Sequence, residues 1–281
     1  MTGDAIRNVM SIDVEDWFCV YNLSQHIRFE DWDKQDSRVE QSTLRLLDMF
    51  SRHRVSGTFF VLGWVADRFP DLVREIDRRG HEIATHGYAH RLLTHMTADE
   101  FRTDLLRSLE VIERSSSQRI RGHRAPSFSV TRKTPWAAGI MREAGLTYDS
   151  SVFPVGFHPD YGIGDAPLTP YWLTDGLREV PMSCAEVGSS RVPCSGGGYF
   201  RQYPYALTRW LMRRCNAAGR PVIFYLHPWE VDPDQPRIEA LGWSKKFRHY
   251  RNLAETENRM ERMLEDFRFG TVAQLLEAEK P

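Results

Sequence analysis

The alternation of short apolar segments with amphipathic segments most constrains the fold of this 281-residue chain. Segments of strand length are followed by segments whose apolar residues recur at helical spacing. The predicted strands span residues 8–14, 57–63, 81–87, 119–126, 146–152 and 221–228, and the predicted helices span 39–53, 70–80, 97–115, 134–145, 203–219 and about 252–278. Strand followed by helix, repeated at roughly 25 to 40 residues, is typical of an α/β protein with a parallel sheet.

The arrangement of these segments favours one barrel-like domain. No glycine-rich phosphate loop follows the first predicted strand, which argues against a dinucleotide-binding fold and for a (β/α) barrel, complete or incomplete. Thr97 and Glu100 predict a capping box at a helix start, and Gly80 predicts a C-terminal cap. The Pro- and Gly-rich region 152–200 is predicted to form long loops over the site, so we expect a single domain over residues 1–281.

Charge and composition exclude several classes of function. The net charge of −1 predicts no basic footprint for nucleic acid and no polybasic membrane patch. No apolar stretch approaches the roughly 18 residues of a membrane span, and the N-terminus lacks a secretory leader, so we expect a cytoplasmic location. The four cysteines show no CxxC spacing, which predicts free thiols; they are Cys19, Cys184, Cys194 and Cys215.

Ionisable residues stand at the C-terminal ends of the predicted strands, where barrel proteins place their reactive groups. The first strand ends in "DVED" (13–16), the third in "HGYAH" (86–90), the fourth in "HRAPS" (123–127), the fifth in "YDSS" (148–151) and the last in "LHPWE" (226–230). Because the ends of parallel strands meet at one edge, these residues are predicted to converge on one rim.

The pair His86 and His90 predicts a metal site. On a helical turn, residues four apart have Cβ atoms about 5 to 6 Å apart, close enough for two imidazoles to share one ion. The spacing alone also fits two unrelated surface histidines. A carboxylate from the first strand would complete the common open site of two imidazoles and one carboxylate. Strand alternation makes Glu15 share a face with Asp13, whereas Asp16 joins them only if the chain bends.

Two further residues are candidates for proton transfer and orientation. His227 follows an apolar strand and precedes Pro228, a position from which an imidazole can protonate a leaving group. A packed histidine bonded to a backbone carbonyl is the structural alternative. Arg124 can orient a carboxylate through a two-pronged hydrogen bond, and an ordinary salt bridge is its alternative.

Taken together, the motifs resemble the polysaccharide deacetylases, carbohydrate esterases of the NodB-homology type, over residues 8–270. The similarity is greatest to the bacterial branch associated with exopolysaccharide and exosortase systems, through "DVEDWF", "GTFFVLGWVA", "HGYAHR", "RAPSFS", "GGGYFR", "FYLHPWE" and "KFRHY". The resemblance implies a distorted barrel of seven or eight strands with a family-specific C-terminal extension at about 230–281. It also implies one divalent metal ion, zinc first and cobalt or another ion second, and hydrolysis of N-acetyl groups on an amino sugar.

The resemblance also implies individual roles. Asp13 corresponds to the general base, and Arg124 to the residue that tethers it. His86 and His90 correspond to metal ligands, and His227 to the general acid. Where the family commonly has a second aspartate, this chain has Val14; a subgroup with an Asp-x-Asp pattern makes Glu15 the carboxylate ligand, and Asp16 stays possible if the strand end bulges.

Aromatic residues near the strand ends are candidates for stacking on sugar; those singled out are Trp17, Tyr199 and Trp229. Tyr199 is also a candidate to hold a developing oxyanion. The expected partner is a carbohydrate with N-acetylated amino sugars, as polymer, oligomer or lipid-linked precursor. Two other functions fit the same residues: an allantoinase-like amide hydrolase acting on a small cyclic or ureide substrate, and a non-catalytic carbohydrate-binding relative. The sequence predicts no oligomeric state.

Overall fold

The centre of the fold is a nine-stranded, mainly parallel sheet in a computed structural model that describes residues 6–156 and 162–279. Its strands are β1 (Arg7–Val14), β2 (Thr58–Val61), β3 (Glu82–Thr85), β4 (Gly122–His123), β5 (Tyr148–Asp149), β6 (Tyr171–Thr174), β7 (Leu177–Glu179), β10 (Ile223–Leu226) and β11 (Arg268–Gly270). The order is β10-β1-β2-β3-β4-β5-β7-β6, and β11 pairs with the start of β1. All pairs are parallel except β6–β7. The predicted α/β class is confirmed.

Helices connect the strands, as the sequence predicted. They are α1 (Val39–His53), α2 (Gly63–Arg68), α3 (Pro70–Arg78), α4 (Ala98–Glu113), α5 (Ala137–Glu143), α6 (Gly197–Gln202), α7 (Tyr205–Ala217), α8 (Trp243–Tyr250), α9 (Leu253–Asp266) and α10 (Val272–Ala278). The capping box of α4 is confirmed, because the Thr97 amide donates to Glu100 Oε2 (2.8 Å) and the Glu100 amide donates to Thr97 Oγ1 (3.3 Å). Gly80 follows α3 with a left-handed φ of 76°.

Two local predictions were wrong. The region 152–200, predicted as loops, contains β6 and β7 and a separate hairpin of β8 (Cys184–Val187) and β9 (Ser190–Pro193), although 157–161 lie outside the described residues. These strands have three or four residues each, and β6 is only partly buried, so no clear apolar alternation marks them. The predicted helical tail is interrupted by β11, which is three residues long.

The barrel is completed by irregular chain between β5 and β10. Residues 180–183 lie between the two strands: the Met182 amide donates to Val152 O (2.9 Å), and the Ile223 amide donates to Ser183 Oγ (2.8 Å). Here single hydrogen bonds take the place of a continuous β-ladder, so the barrel is distorted. It leaves the C-terminal ends of β1, β3, β4 and β10 at one edge of the sheet. Among the described residues, no helix is both long enough and apolar enough to cross a bilayer.

Candidate active site

Three buried side chains at the C-terminal edge of the sheet form a candidate metal site. The ligand atoms of Glu15, His86 and His90 all lie within 4.8 Å of one another. His90 Nε2 is 2.7 Å from Glu15 Oε2, and the two imidazole centroids are 5.2 Å apart. The prediction placed the histidine pair on a helical turn, but 86–90 is a loop with no helical turn. His90 has a left-handed φ of 51°, which turns its ring back towards His86.

Neighbouring groups hold this loop and set the form of His86. The carboxylate of Asp104, on α4, accepts from the Tyr88 amide (2.7 Å) and the Ala89 amide (3.3 Å), which fixes the turn between the histidines. His86 Nδ1 is 2.8 Å from the Arg124 carbonyl oxygen. Since a carbonyl only accepts, Nδ1 carries the proton and Nε2 keeps its lone pair for a ligand. Burial, followed by the charge of His90, lowers the pKa of His86 well below its usual value, which favours the neutral form.

These residues fit a divalent cation. Glu15 Oε2 is buried and makes no hydrogen bond among the described residues, although His90 Nε2 is close to it. Glu15 Oε2 and the neutral form of His90 Nε2 each offer a lone pair at this point, and a cation bound by both would satisfy the carboxylate oxygen. Two imidazoles and one carboxylate are a ligand set that Zn²⁺ accepts while leaving positions open for water and substrate. The site therefore has the donor chemistry that the sequence predicted.

Asp16 lies apart from this group. Its Oδ1 accepts from the Trp17 amide (2.9 Å), and its Oδ2 accepts from Ser37 Oγ (2.5 Å) and from the amides of Arg38 (3.0 Å) and Val39 (3.2 Å). Arg38 offers no side-chain cap for α1, so Asp16 satisfies the free amides at that helix start. Burial raises the pKa of Asp16 to about 6 despite these bonds. The alternative that Asp16 supplies the carboxylate ligand is not supported by this geometry.

Asp13 is held by Arg124 in the barrel interior. Arg124 is fully buried, and its Nη1 donates to Asp13 Oδ1 (2.7 Å) and to Ser11 Oγ (2.9 Å). Its Nε and Nη2 donate to the carbonyl (3.1 Å) and hydroxyl (3.0 Å) of Ser150, and its guanidinium lies 4.0 Å from the ring centre of Phe60. A guanidinium with this many partners is a fixed anchor. It occupies one carboxylate oxygen of Asp13 and leaves Oδ2 directed towards His227 (3.9 Å).

His227 lies between the carboxylates of the first strand and Glu230. Its Nε2 is 3.5 Å from Glu15 Oε1, and its Nδ1 is 2.9 Å from Glu230 Oε2. Burial lowers the pKa of His227, but the charges of Glu15, Glu230 and Asp13 outweigh burial and raise it to about 9. These carboxylates favour the protonated imidazole, whose Nε2–H faces the site, as a general acid requires.

Glu230 is in turn held by Arg201. Arg201 Nε donates to Glu230 Oε1 (2.7 Å), and both side chains are buried. Burial raises the pKa of Glu230, but the charges of Arg201 and His227 outweigh it and lower the pKa to about 2. Gly197 makes room for this carboxylate, because a Cβ at that position would overlap it. The "SGGGYF" segment thus supports the His227–Glu230–Arg201 chain, a role that the sequence analysis missed.

The three aromatic residues proposed to contact sugar differ in position. Trp17 is buried, donates from Nε1 to Asp36 O (2.9 Å) and packs edge-on against Phe18, which argues against the substrate contact predicted for it. Trp229 is 6% exposed; it stacks on His227 (5.3 Å between centroids), and its Nε1 donates to Glu15 Oε1 (3.3 Å). It therefore orients two site residues, and its burial argues against the predicted sugar stacking.

Tyr199 lies on α6 and packs near Phe153 and Tyr203, with centroids 6.3 and 5.8 Å apart. Its proposed role with a developing oxyanion stays a prediction. The residues that do converge are Asp13, Glu15, His86, His90, Arg124 and His227, drawn from the ends of β1, β3, β4 and β10.

Comparison with protein families agrees with this arrangement. Residues 26–148 match the family model of the polysaccharide deacetylases. Residues 26–148 therefore resemble a polysaccharide deacetylase domain. The match includes His86, His90 and Arg124, whereas Asp13 and Glu15 precede it. Residues 150–277, which include His227, match a domain of unknown function, DUF3473.

The chain is also similar, over part of its length, to individual curated deacetylases. A peptidoglycan-N-acetylglucosamine deacetylase of Bacillus cereus is 38% identical over 72 residues, 26% of each chain. A peptidoglycan deacetylase of Helicobacter pylori is 30% identical over 123 residues, 43% of this chain and 41% of that one. The chain thus matches well under half the length of these curated relatives.

Among solved structures, one from Mycobacterium smegmatis assigned to the polysaccharide deacetylases has a TM-score of 0.58 and 23% identity. The alignment covers 99% of this chain and 92% of that one. This likeness shows the shared fold over almost the whole chain, including the part beyond the deacetylase match.

Proposed function

We propose that this protein is a metal-dependent deacetylase that hydrolyses N-acetyl groups on an amino sugar of a polysaccharide, oligosaccharide or lipid-linked precursor. One observation carries the proposal: the buried Glu15–His86–His90 group lies beside the Asp13 carboxylate and the His227 imidazole, whose Oδ2 and Nε2 atoms are 3.9 Å apart. Amide hydrolysis needs one group that accepts a proton from water and another that gives a proton to the departing nitrogen.

Glu15, His86 and His90 would hold the divalent cation, with zinc as first choice and cobalt as second. When bound, such an ion supplies Lewis acidity towards the amide carbonyl and towards water. Trp229 Nε1–H fixes one oxygen of Glu15, and the Arg124 carbonyl fixes the tautomer of His86. These contacts restrict Glu15 and His86 to one orientation each.

Asp13 is the proposed general base. Its Oδ1 is tied to Arg124, so Oδ2 is the atom that takes the proton of the attacking water. The charge-assisted bond to Arg124 holds the carboxylate stationary. His227 is the proposed general acid; Nε2–H passes its proton to the nitrogen as the C–N bond breaks, and Glu230 stabilises the charged ring beforehand.

Two features support a single catalytic domain over residues 1–281. The site takes His86, His90 and Arg124 from the deacetylase match and His227 from the DUF3473 match. Glu230 and Arg201, which orient His227, also lie in the DUF3473 match. We propose that the second region is not an appendage but the half that supplies the acid.

We further propose a role in exopolysaccharide biosynthesis, which rests on the motifs shared with that bacterial branch, and a cytoplasmic location. The substrate class is supported by the names of the relatives, which are deacetylases of peptidoglycan components.

Acetate release from N-acetylated oligosaccharides tests the function. We expect metal-loaded protein to release acetate, a chelator to abolish release, and Zn²⁺ to restore it. Asp13→Asn and His227→Ala should each reduce turnover by about 10² to 10⁴ with folding intact. His26→Ala, an exposed histidine away from the site, is the matched control. Wild-type rates in both variants, or release that ignores the chelator, would contradict the proposal.

A further inference from the structure

The helix α8 carries an exposed aromatic face. Trp243 is 80% exposed and Phe247 is 45% exposed. They lie one helical turn apart, with ring centroids at 5.7 Å and planes inclined by 22°. The guanidinium of Arg251 lies 4.7 Å from the Phe247 ring centre. An exposed tryptophan and phenylalanine on one helix face cost hydrophobic free energy unless something covers them.

The same helix is strongly and uniformly basic. The sequence between Glu239 and Glu255 contains no acidic residue, whereas it contains Lys245, Lys246, Arg248 and Arg251. None of these four cations pairs with a carboxylate among residues 6–156 and 162–279. Elsewhere, exposed arginines on helices pair with a nearby acid, as Arg74 does with Asp71 and Arg114 with Glu110. The net charge of −1 predicted no polybasic patch, and this local concentration corrects that prediction.

The buried face of α8 packs next to the candidate active site. His249 stacks on Trp229 (4.5 Å between centroids, 11° between planes), and Trp229 stacks on His227. Backbone carbonyls at the end of α8 accept from Arg201, including that of His249 (2.8 Å). The exposed face is therefore attached rigidly to the site and lies at the same end of the barrel.

We propose that α8 is a docking surface for a bilayer with anionic phospholipid headgroups. A short helix with Trp and Phe on one face and Lys and Arg around it matches the composition of interfacial helices. The unpaired cations provide charge complementarity to anionic headgroups, and the aromatic rings fit the headgroup level. The long stems of Lys245 and Lys246, which are half-buried, let their ammonium groups reach the same plane. Docking would hold the active site at the bilayer surface.

The test is vesicle sedimentation of the full chain with phosphatidylcholine vesicles and with vesicles that also contain phosphatidylglycerol. We expect binding only to the second kind, and loss of binding when salt is raised from about 0.1 M to about 0.5 M. Arg248→Gln with Arg251→Gln should weaken partitioning about 25-fold, since each cation near an anionic surface contributes about fivefold. Trp243→Ser with Phe247→Ser should weaken it at least about tenfold.

The matched control is Trp172→Ser, on β6, which removes a side chain that is 65% exposed beside Arg178, a cation paired with Glu279. It should bind vesicles like the wild type. The proposal would be overturned by equal binding to both vesicle types or by an equal loss of binding in the control. It would also be overturned if the protein did not bind vesicles but was retained on a soluble polyuronate, which would assign the surface to an acidic polysaccharide. Vesicle binding is measured without catalysis, so a negative result would leave the deacetylase proposal untouched. Acetate release from a soluble substrate should be unchanged in the Trp243→Ser/Phe247→Ser variant.

Discussion

Replacing Glu230 by Gln tests the proposed tuning of the general acid. The substitution keeps the shape of the side chain and an oxygen for Arg201 but removes the negative charge 2.9 Å from His227 Nδ1. Glu230 is one of three carboxylates that raise the pKa of His227 to about 9 against the effect of burial. Without it, the pKa of His227 must fall, and less of the imidazole is protonated at a given pH.

The expected loss follows from the contact itself. A buried hydrogen bond to a charged group contributes about 1.5 to 3 kcal/mol, so its loss should lower the ratio of protonated to neutral His227 by about tenfold to about 150-fold at a given pH. The drop in kcat should approach that factor at alkaline pH, where the fraction of protonated His227 limits the rate. The basic limb of the pH–rate profile should also move to lower pH, because the protonated acid is lost earlier. Both quantities come from initial rates of acetate release between neutral and alkaline pH, with thermal unfolding as the control for folding.

A double-mutant cycle tests whether Glu230 affects the rate through His227. Glu230 is proposed to act through His227, so Glu230→Gln should have little further effect in a His227→Ala background. If the two substitutions multiply, or if the basic limb does not move, Glu230 does not act by tuning the imidazole.

Two other predictions concern packing and pH. Gly197→Ala should reduce activity as much as Glu230→Gln, because the added Cβ displaces the Glu230 carboxylate. The control is Gly198→Ala, which should behave like the wild type because nothing lies within 4 Å of the added Cβ. Equal effects of the two substitutions would contradict the steric argument. Burial, with a smaller contribution from Arg79, lowers the pKa of His81 to about 4 from 6.5, so its contribution to stability is complete above pH 6.5 and is lost as pH falls towards 4. At about pH 5, keeping His81 neutral lowers the free energy of unfolding by about 2 kcal/mol. Urea unfolding should therefore show a difference in the free energy of unfolding between pH 7 and pH 5 that is smaller by about 2 kcal/mol in His81→Asn than in the wild type. An identical difference in the two proteins would contradict the assignment.

Much of the candidate site could be predicted because strand ends identify it. The polar residues that follow β1, β3, β4 and β10 lie together simply because parallel strands end at one edge. Alternation along β1 correctly favoured Glu15 over Asp16 as the neighbour of the histidines. What alternation could not show is that Asp16 caps α1 through Arg38 and Val39, since that contact joins parts of the chain 22 and 23 residues apart.

The support of His227 was missed for a related reason. Arg201 is 26 residues before His227 in sequence and reaches Glu230 only because α6 packs beside the end of β10. Gly197 accommodates the Glu230 side chain, and the sequence does not show which side chain a glycine makes room for. Trp17 and Trp229 were singled out by position near strand ends, but the direction of a ring depends on packing that the sequence does not specify.

The fold was predictable where segments are long and regular, and not where they are short. The predicted bounds of α1 match the structure, and the capping box of α4 is at the predicted residues. Strands of two to four residues, such as β4 and β6 to β9, are too short for a period to be recognised. The local basic face of α8 was hidden because charge was summed over the whole chain.

Calorimetric titration of metal-stripped protein with Zn²⁺ tests the central claim most directly. The geometry predicts one ion per chain, with binding abolished in Glu15→Gln and in His90→Ala and retained in Asp16→Asn. Absence of a stoichiometric site in the wild type, or loss of binding in Asp16→Asn with retention in Glu15→Gln, would contradict it.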